Sequence, residues 1–424
     1  MSERHRVQTA GAPIDAKVRP PGSKSITIRA LAAAAMAEGR SHLYGALVAD
    51  DTAAMTGALR GLGIDVNEGS EPWAVDGQGG HLQSSGSVID VNESGLTARI
   101  VLMMSAFSET STTITGRGRL LQRPIGSIVD VLASQGVSVQ TTDGFLPATV
   151  NGQGGLWGGD IDVDCSKSSQ FATSVLLAAP LMSQPARVRL SGLEGSGGYL
   201  DTTLMVMEAF GAHVDRTITG FETIPQGYVS SDFPVEPDAS AAVYPLVAAA
   251  ITGGRVEIEG LNLDSTQPDM RIAAHLAAMG CDVDDVESGL VLTGPKRLEP
   301  LETDLSDAPD GALALAVACA FAEGPSRLAG LHSLRYKESD RLEALSSELG
   351  KIGVQTDIAD DELLVMPGPV HGGVIDPHGD HRIAMSLAVA GLRVEGVEVS
   401  NPSVVSKTWP DFWEKLAHIS ENTV

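Results

Sequence analysis

Aromatic residues are scarce, 4% of a 424-residue chain in which 43% of residues are hydrophobic. Its cores must therefore be built mostly from Ala, Val, Leu and Ile, and the length suits two or three domains. Cysteine is scarcer still. Cys165, Cys281 and Cys319 lie far apart and in no metal or redox spacing, which excludes a disulfide framework and fits reduced thiols in a cytosol. No apolar run reaches the roughly 20 residues that cross a bilayer. The longest candidate, Gly311–Ala322, reads as a buried helix, and Met1–Lys17 mixes both charge signs without the apolar centre of a signal peptide. Positive charge is thin as well: 29 Lys and Arg face 54 Asp and Glu, a net charge of −25. Nucleic acid and anionic membranes are poor partners for such a chain. Any local gathering of cations is then informative, because it is assembled against the background field.

What the chain has in quantity is repetition. Six Ala/Leu-rich helices follow loops rich in Gly, Ser or Asp and begin near Ser25, Ser94, Ser168, Asp238, Asp310 and Asp380. A short alternating strand follows, such as Thr112–Thr115, Val188–Leu190 or Val256–Glu259, and then a second helix. Five second helices end alike, in Leu62-Gly63-Ile64, Gln135-Gly136-Val137, Phe210-Gly211-Ala212, Met279-Gly280-Cys281 and Ile352-Gly353-Val354. The glycine reads as the residue just past a helix end, and the run after it starts a strand. Six β-α-β-α-β-β repeats are expected, three to each of two domains, with the break in the Pro225–Pro237 cluster of turn residues. The domains would be 21–235 and 1–20 with 236–424, joined by hinge crossings near 20 and 235. The strand Ile14–Arg19 would pair with the far half.

Pro20-Pro21-Gly22-Ser23-Lys24-Ser25 runs into the first helix, with Arg29 one turn in. A helix N-terminus carries unpaired N–H groups and partial positive charge, so this start suits a small anion. It is not a nucleotide phosphate loop, since Gly-x-x-x-x-Gly-Lys is not satisfied. Equivalent positions give Ser94, Gly95, Arg99 and Arg123; Lys167, Ser168, Ser169 and Gln170, then Ser196 and Tyr199; Asp310, Lys337, Glu338 and Arg341; and His381, Arg382 and Lys407. Nine of the 29 Lys and Arg residues thus fall in repeat loops, enough for two separate anionic groups. Each feature has an ordinary alternative: Ser168–Gln170 or Asp310 as helix caps, Glu338 and Arg341 as a surface ion pair, and His378 and His381 as two histidines without a third metal ligand. Recurrence at one place in the repeat is what those alternatives leave unexplained.

In this order and spacing, Pro21-Gly22-Ser23-Lys24-Ser25, Arg123-Pro124-Ile125-Gly126, Ser168-Ser169-Gln170-Phe171, Lys337-Glu338-Ser339-Asp340-Arg341, Asp380-His381-Arg382-Ile383-Ala384-Met385 and Ser406-Lys407-Thr408-Trp409-Pro410 resemble the 3-phosphoshikimate 1-carboxyvinyltransferase family along essentially the whole chain. The resemblance implies an α/β, two-domain enolpyruvyl-transferase fold with helices packed inside sheets. It implies transfer of the enolpyruvyl group of phosphoenolpyruvate to the 5-hydroxyl of shikimate 3-phosphate by addition and elimination, without cofactor or metal. Carried over, Lys24, Gly95, Arg123, Gln170, Arg341, Arg382 and Lys407 would hold phosphoenolpyruvate. Lys24, Ser25, Arg29, Ser168, Ser169, Ser196, Tyr199, Asp310 and Lys337 would hold shikimate 3-phosphate. Asp310, Glu338 and Lys24 are the acid and base candidates. A cytoplasmic monomer with small-molecule partners is expected.

The chain departs from the family pattern at Glu93-Ser94-Gly95-Leu96, where Glu93 and Leu96 stand beside the expected phosphoenolpyruvate pocket and bear on affinity for phosphoenolpyruvate and its mimic glyphosate. Ser333 replaces an Asn-type ligand and is not counted in the site. Two rivals differ in class. The sister transferase acting on UDP-N-acetylglucosamine commonly carries a reactive loop cysteine, and Asp90–Asp160 has none. A non-catalytic binder of phosphorylated metabolites gains nothing from Asp310 and Glu338 beside its phosphates.

Overall fold

Residues 3–193 and 197–423 are described by the structure, a computed structural model. The chain divides into two compact units, Gly22–Glu236 and the segment up to Pro21 together with Pro237 onward. It passes from one to the other at Pro21–Gly22 and Glu236–Pro237.

Within Gly22–Glu236 the core is three helices, Lys24–Met36, Gly95–Met104 and Gln170–Ala178, with every residue from Ile26 to Met36, all of the second helix and Phe171 to Ala178 buried. Alanine and small β-branched residues let these helices lie close together, which explains a core so poor in aromatics. Three sheets cover them, and the two built from one continuous stretch of chain each share one order. The first strand runs parallel to the second, which pairs antiparallel with the fourth, and that with the third. Ile89–Asp90, Thr112–Thr115, Phe145–Asn151 and Ser138–Thr142 form one such sheet; Gly159–Asp164, Ala186–Ser191, Gly220–Thr223 and Asp215–Arg216 form the next.

The other unit repeats the plan around Ala239–Thr252, Ala312–Ala320 and His381–Ala390. All nine residues of Ala312–Ala320 are buried, as the apolar run Gly311–Ala322 suggests. Its sheets run Asp15–Val18, Arg255–Glu259, Gly289–Thr293, Asp282–Val286 and Glu302–Asp304, Ser326–Ala329, Glu362–Met366, Gln355–Ala359. The third is Gly373–Ile375, Val397–Ser400 and Arg4–Arg6.

The repeat is written most clearly in the helix ends. Gly63, Gly136, Gly211, Gly280 and Gly353 all take φ between +79° and +97°. In each, the residue after the glycine donates its N–H to a carbonyl five residues back, as in Ile64 to Leu59 and Val354 to Leu349. That closure needs a left-handed residue, which glycine supplies without strain.

Two sheet edges come from elsewhere in the sequence. Pro225–Pro237, read as a linker, contains the strands Tyr228–Val229 and Asp232–Pro234, which run parallel to Ala37–Tyr44 and complete the first sheet. Proline is tolerated there because it lies on an edge. In the sixth repeat the helix Phe412–Glu421 ends the chain, and Arg4–Arg6 supplies the strand that the repeat lacks.

Candidate active site

In Gly22–Glu236 the three core helices start on serine. Ser23 caps the first, its Oγ accepting from the N–H of Ile26 at 3.4 Å; Ser94 and Ser169 hold the cap positions of the second and third. Gly22 must be glycine, because a Cβ there would lie 2.0 Å from the carbonyl oxygen of Gly45. Lys24 begins the first helix with its Nζ 3.4 Å from Asp51 Oδ2, a buried carboxylate.

Arg29 is 1% exposed. Its guanidinium donates to Thr203 Oγ1 (2.8 Å), Thr173 Oγ1 (3.3 Å), the Tyr199 carbonyl (3.3 Å), the Ser25 carbonyl (2.9 Å) and Ser25 Oγ (2.5 Å). Every partner is neutral, and among the described residues no carboxylate pairs with it. Burial lowers its pKa to about 10, still charged at neutral pH. A buried cation held by dipoles alone makes this corner strongly attractive to an anion.

The second and third starts meet the same corner. Arg99 donates to the Gly95 carbonyl (2.9 Å) and the Pro124 carbonyl (3.2 Å) and lies 5.8 Å from the centre of the Phe171 ring. Arg123 lies against Gly95: a Cβ at 95 would come within 2.5 Å of its Nη1. Ser168 Oγ accepts from the Gln170 N–H (3.2 Å), while Gln170 Oε1 is buried without a donor from the described protein, an acceptor waiting for a ligand hydroxyl or water. Tyr199 enters through its carbonyl, which also accepts from Thr203 Oγ1 (3.0 Å). Ser196 lies outside the described residues. The structure thus brings Lys24, Ser25, Arg29, Gly95, Arg123, Ser168, Ser169, Gln170 and Tyr199 to the starts of the helices of this unit.

The other unit caps its helices with acid. Asp238 accepts from the Ala241 N–H (2.9 Å) and Asp380 from the Arg382 N–H (2.9 Å). Asp310 does not cap: Gly311 holds that position, and the Asp310 carboxylate is left to the cations. Its Oδ1 lies 2.9 Å from Arg341 Nη1 and 3.3 Å from Lys337 Nζ, its Oδ2 3.2 Å from Arg382 Nη2. Burial opposes its ionisation, yet Lys337, Arg382 and Arg341 hold the carboxyl well below the usual range, against a smaller push from Glu338. Arg341 is the hub. It is 1% exposed and also holds Glu338 (2.8 Å) and both oxygens of Asp380 (2.7 and 3.2 Å). Burial works against its charge, but Asp380, Glu338 and Asp310 raise its pKa.

The pairing of Glu338 with Arg341 is therefore buried, not a surface ion pair. Lys407 is buried at the end of the turn Pro402–Lys407, which packs on the helix His381–Ala390. The two histidines go to different partners: His378 Nε2 meets Glu348 Oε1 at 2.8 Å, and His381 Nδ1 lies 3.7 Å from Asp380 Oδ1. Sequence reasoning missed Asp51 beneath Lys24, Thr173 and Thr203 around Arg29, and Asp380 on Arg341, though Asp380 opens the Asp380–Met385 motif. Ser333, not counted in the expected site, has a buried Oγ with no partner among the described residues. Leu96, expected beside the pocket, packs in the core, and Glu93 lies over Gly118, where a Cβ would be 2.0 Å from its Oε1.

The two units thus differ in chemistry. One holds Arg29 and Arg99 on hydroxyl and carbonyl oxygens, with the Asp51 carboxylate at Lys24, and suits a dianion; the other balances its cations against several carboxylates and suits proton transfer beside a charged group.

The structure superimposes on that of the enolpyruvyl transferase NikO from Streptomyces tendae, with a TM-score of 0.77 over 99% of this chain and 98% of that one at 19% identity, a likeness of fold. The fold is thus that of enolpyruvyl transferases. A structure of EPSP synthase from Acinetobacter baumannii matches with a TM-score of 0.83 and 27% identity over 99% and 98% of the two chains. The 3-phosphoshikimate 1-carboxyvinyltransferase of Methanosphaerula palustris is 40% identical over 411 residues, 96% of this chain and 97% of that one. That of Pseudomonas savastanoi is 37% identical over 415 residues, covering 96% and 95%. Residues 8–416 match the family model for EPSP synthase (3-phosphoshikimate 1-carboxyvinyltransferase). The chain belongs to that family.

Proposed function

We propose that the chain transfers the enolpyruvyl group of phosphoenolpyruvate to the 5-hydroxyl of shikimate 3-phosphate, releasing phosphate and 5-enolpyruvylshikimate 3-phosphate. The serine-capped unit takes the 3-phosphate and ring hydroxyls through Lys24, Ser25, Arg29, Ser168, Ser169, Ser196 and Tyr199. Phosphoenolpyruvate is held by Lys24, Gly95, Arg123 and Gln170 from that unit and by Arg341, Arg382 and Lys407 from the other. The working form is a cytoplasmic monomer.

The reaction runs in two halves. The 5-hydroxyl oxygen bonds to C2 of phosphoenolpyruvate as its proton passes to a carboxylate, and an acid protonates C3, so the methylene becomes a methyl. In the second half C3 loses a proton, the C2–C3 double bond returns and the C2–O bond to phosphate breaks. Asp310 takes the hydroxyl proton, being held ionised by three cations. Glu338 and Lys24 handle the proton at C3. Arg123, Arg341 and Arg382 stabilise the charge that develops on the leaving phosphate.

The observation that carries this reading is the convergence of Lys337, Arg341 and Arg382 on the Asp310 carboxylate. A site that only bound phosphates would lose affinity by burying Asp310 and Glu338 among its cations. Steady-state phosphate release tests it. Release requires both substrates and falls by about 10²-fold or more in Asp310→Asn or Glu338→Gln, the scale of a lost general acid or base. Release unchanged in both variants rejects the assigned roles, and tight substrate binding without release supports the binder.

A further inference from the structure

Asp269 lies outside the cation loops and their motifs, yet it touches the peptide that carries Asp310. It sits in the Pro268–Met270 turn and is 1% exposed. Its Oδ1 accepts from the N–H of Gly311 at 3.2 Å, and its Oδ2 from Ser240 Oγ in the first turn of Ala239–Thr252. The neighbouring Gln267 ties the same turn to that helix, accepting from the Ala239 N–H (3.1 Å) and donating to the Pro237 carbonyl (2.8 Å). One buried carboxyl thus pins the backbone one residue beyond Asp310.

We propose that Asp269 is a positioning residue for the reaction, fixing the Asp310 peptide and tuning the basicity of Asp310 through its own charge. This rests on the reading of Asp310 as the base. The groups facing Asp269 are Asp310, Arg382 and Asp238, while Arg271 on the following helix is engaged by Asp307. Burial first, with Asp310 and Asp238, pushes its carboxyl up to about 6, against Arg382 and the Ser240 hydroxyl. A serine hydroxyl can donate or accept. The contact to Ser240 therefore survives protonation, and the Gly311 N–H keeps the other oxygen. The charge can change without a change of geometry. Ionised Asp269 raises the proton affinity of Asp310 and makes it the better base.

Asp269→Asn separates the two roles, because the amide oxygen keeps the Gly311 N–H and the NH₂ donates to Ser240 without ever ionising. The measurement is the ratio of wild-type to Asp269→Asn kcat from pH 5 to 8, in which titration of the substrates cancels. The ratio is expected near 1 at pH 5 and to climb through pH 6 to about 10-fold, while Asp269→Ala loses activity at every pH. A ratio that is flat with pH, at any value, overturns the proposal and leaves Asp269 merely structural. Wild-type kcat in Asp310→Asn overturns it too, with the transferase intact. Absence of phosphate release from the wild type removes the reaction itself.

Discussion

The Arg123 guanidinium rests on the bare Cα of Gly95, with no room for so much as a methyl group: a Cβ there would meet Nη1 at 2.5 Å. Gly95→Ala must therefore push Arg123 aside. The helix tolerates alanine well at its first turn, so stability should change by less than about 1 kcal/mol. The KM for phosphoenolpyruvate should rise about 10-fold or more while that for shikimate 3-phosphate moves little. Equal KM values in wild type and variant would show that Arg123 does not hold phosphoenolpyruvate.

Arg341 neutralises Asp310, Glu338 and Asp380 together. Arg341→Met leaves three buried carboxylates short of a partner, and removing one side of a buried ion pair costs about 3–5 kcal/mol. A large fall in Tm at pH 7 is expected, with recovery toward acid pH as the carboxylates protonate. A Tm unchanged at pH 7 would contradict the hub.

Arg29→Lys keeps the charge but loses the fork that reaches Thr173, Thr203 and Ser25 at once. Binding of shikimate 3-phosphate should weaken by about 10-fold or more, and unphosphorylated shikimate should lose far less. Equal losses for both, read by calorimetry, would place the phosphate elsewhere.

Two buried aspartates pull stability in opposite directions with pH. Asp310 has a folded-state pKa below its unfolded value, so its contribution is present above about pH 4 and is lost as pH falls through the folded pKa. Asp269, pushed up to about 6, stabilises the fold below about pH 4, and that contribution is lost as pH rises through 6. Raising a carboxyl from about 4 to about 6 corresponds to about 3 kcal/mol. Asp269→Asn should thus have a higher Tm than wild type at pH 7 and a similar one at pH 4. Asp310→Asn should be less stable than wild type at pH 7, with the gap closing toward pH 3. Parallel Tm curves across the pH range would contradict both assignments.

The sequence made the repeat legible because its marks are local: a glycine past each of five helices, and a Ser or Asp near the start of each core helix. The cation loops were legible for the same reason, as they recur at one place in the repeat. Edge strands were not. Arg4–Arg6 and Asp232–Pro234 are three residues each and gain their conformation from partners far along the chain, Val397–Ser400 and Ala37–Tyr44. The wiring of the site was hidden too. Asp380 meets Arg341 across 39 residues, and Asp269 meets Gly311 across 42, and no local pattern records such a pairing. Asp310, written like a helix cap, proved to serve cations, because Gly311 took the cap and freed the carboxylate.

The central claim is addition and elimination at phosphoenolpyruvate, and the most direct test is turnover in D₂O with mass analysis of the enolpyruvyl product. A methyl group formed from the methylene and one solvent proton, then returned to methylene, carries solvent deuterium into the product. The account predicts deuterium in the enolpyruvyl CH₂ together with one phosphate released per product. A product whose methylene holds no deuterium would contradict it.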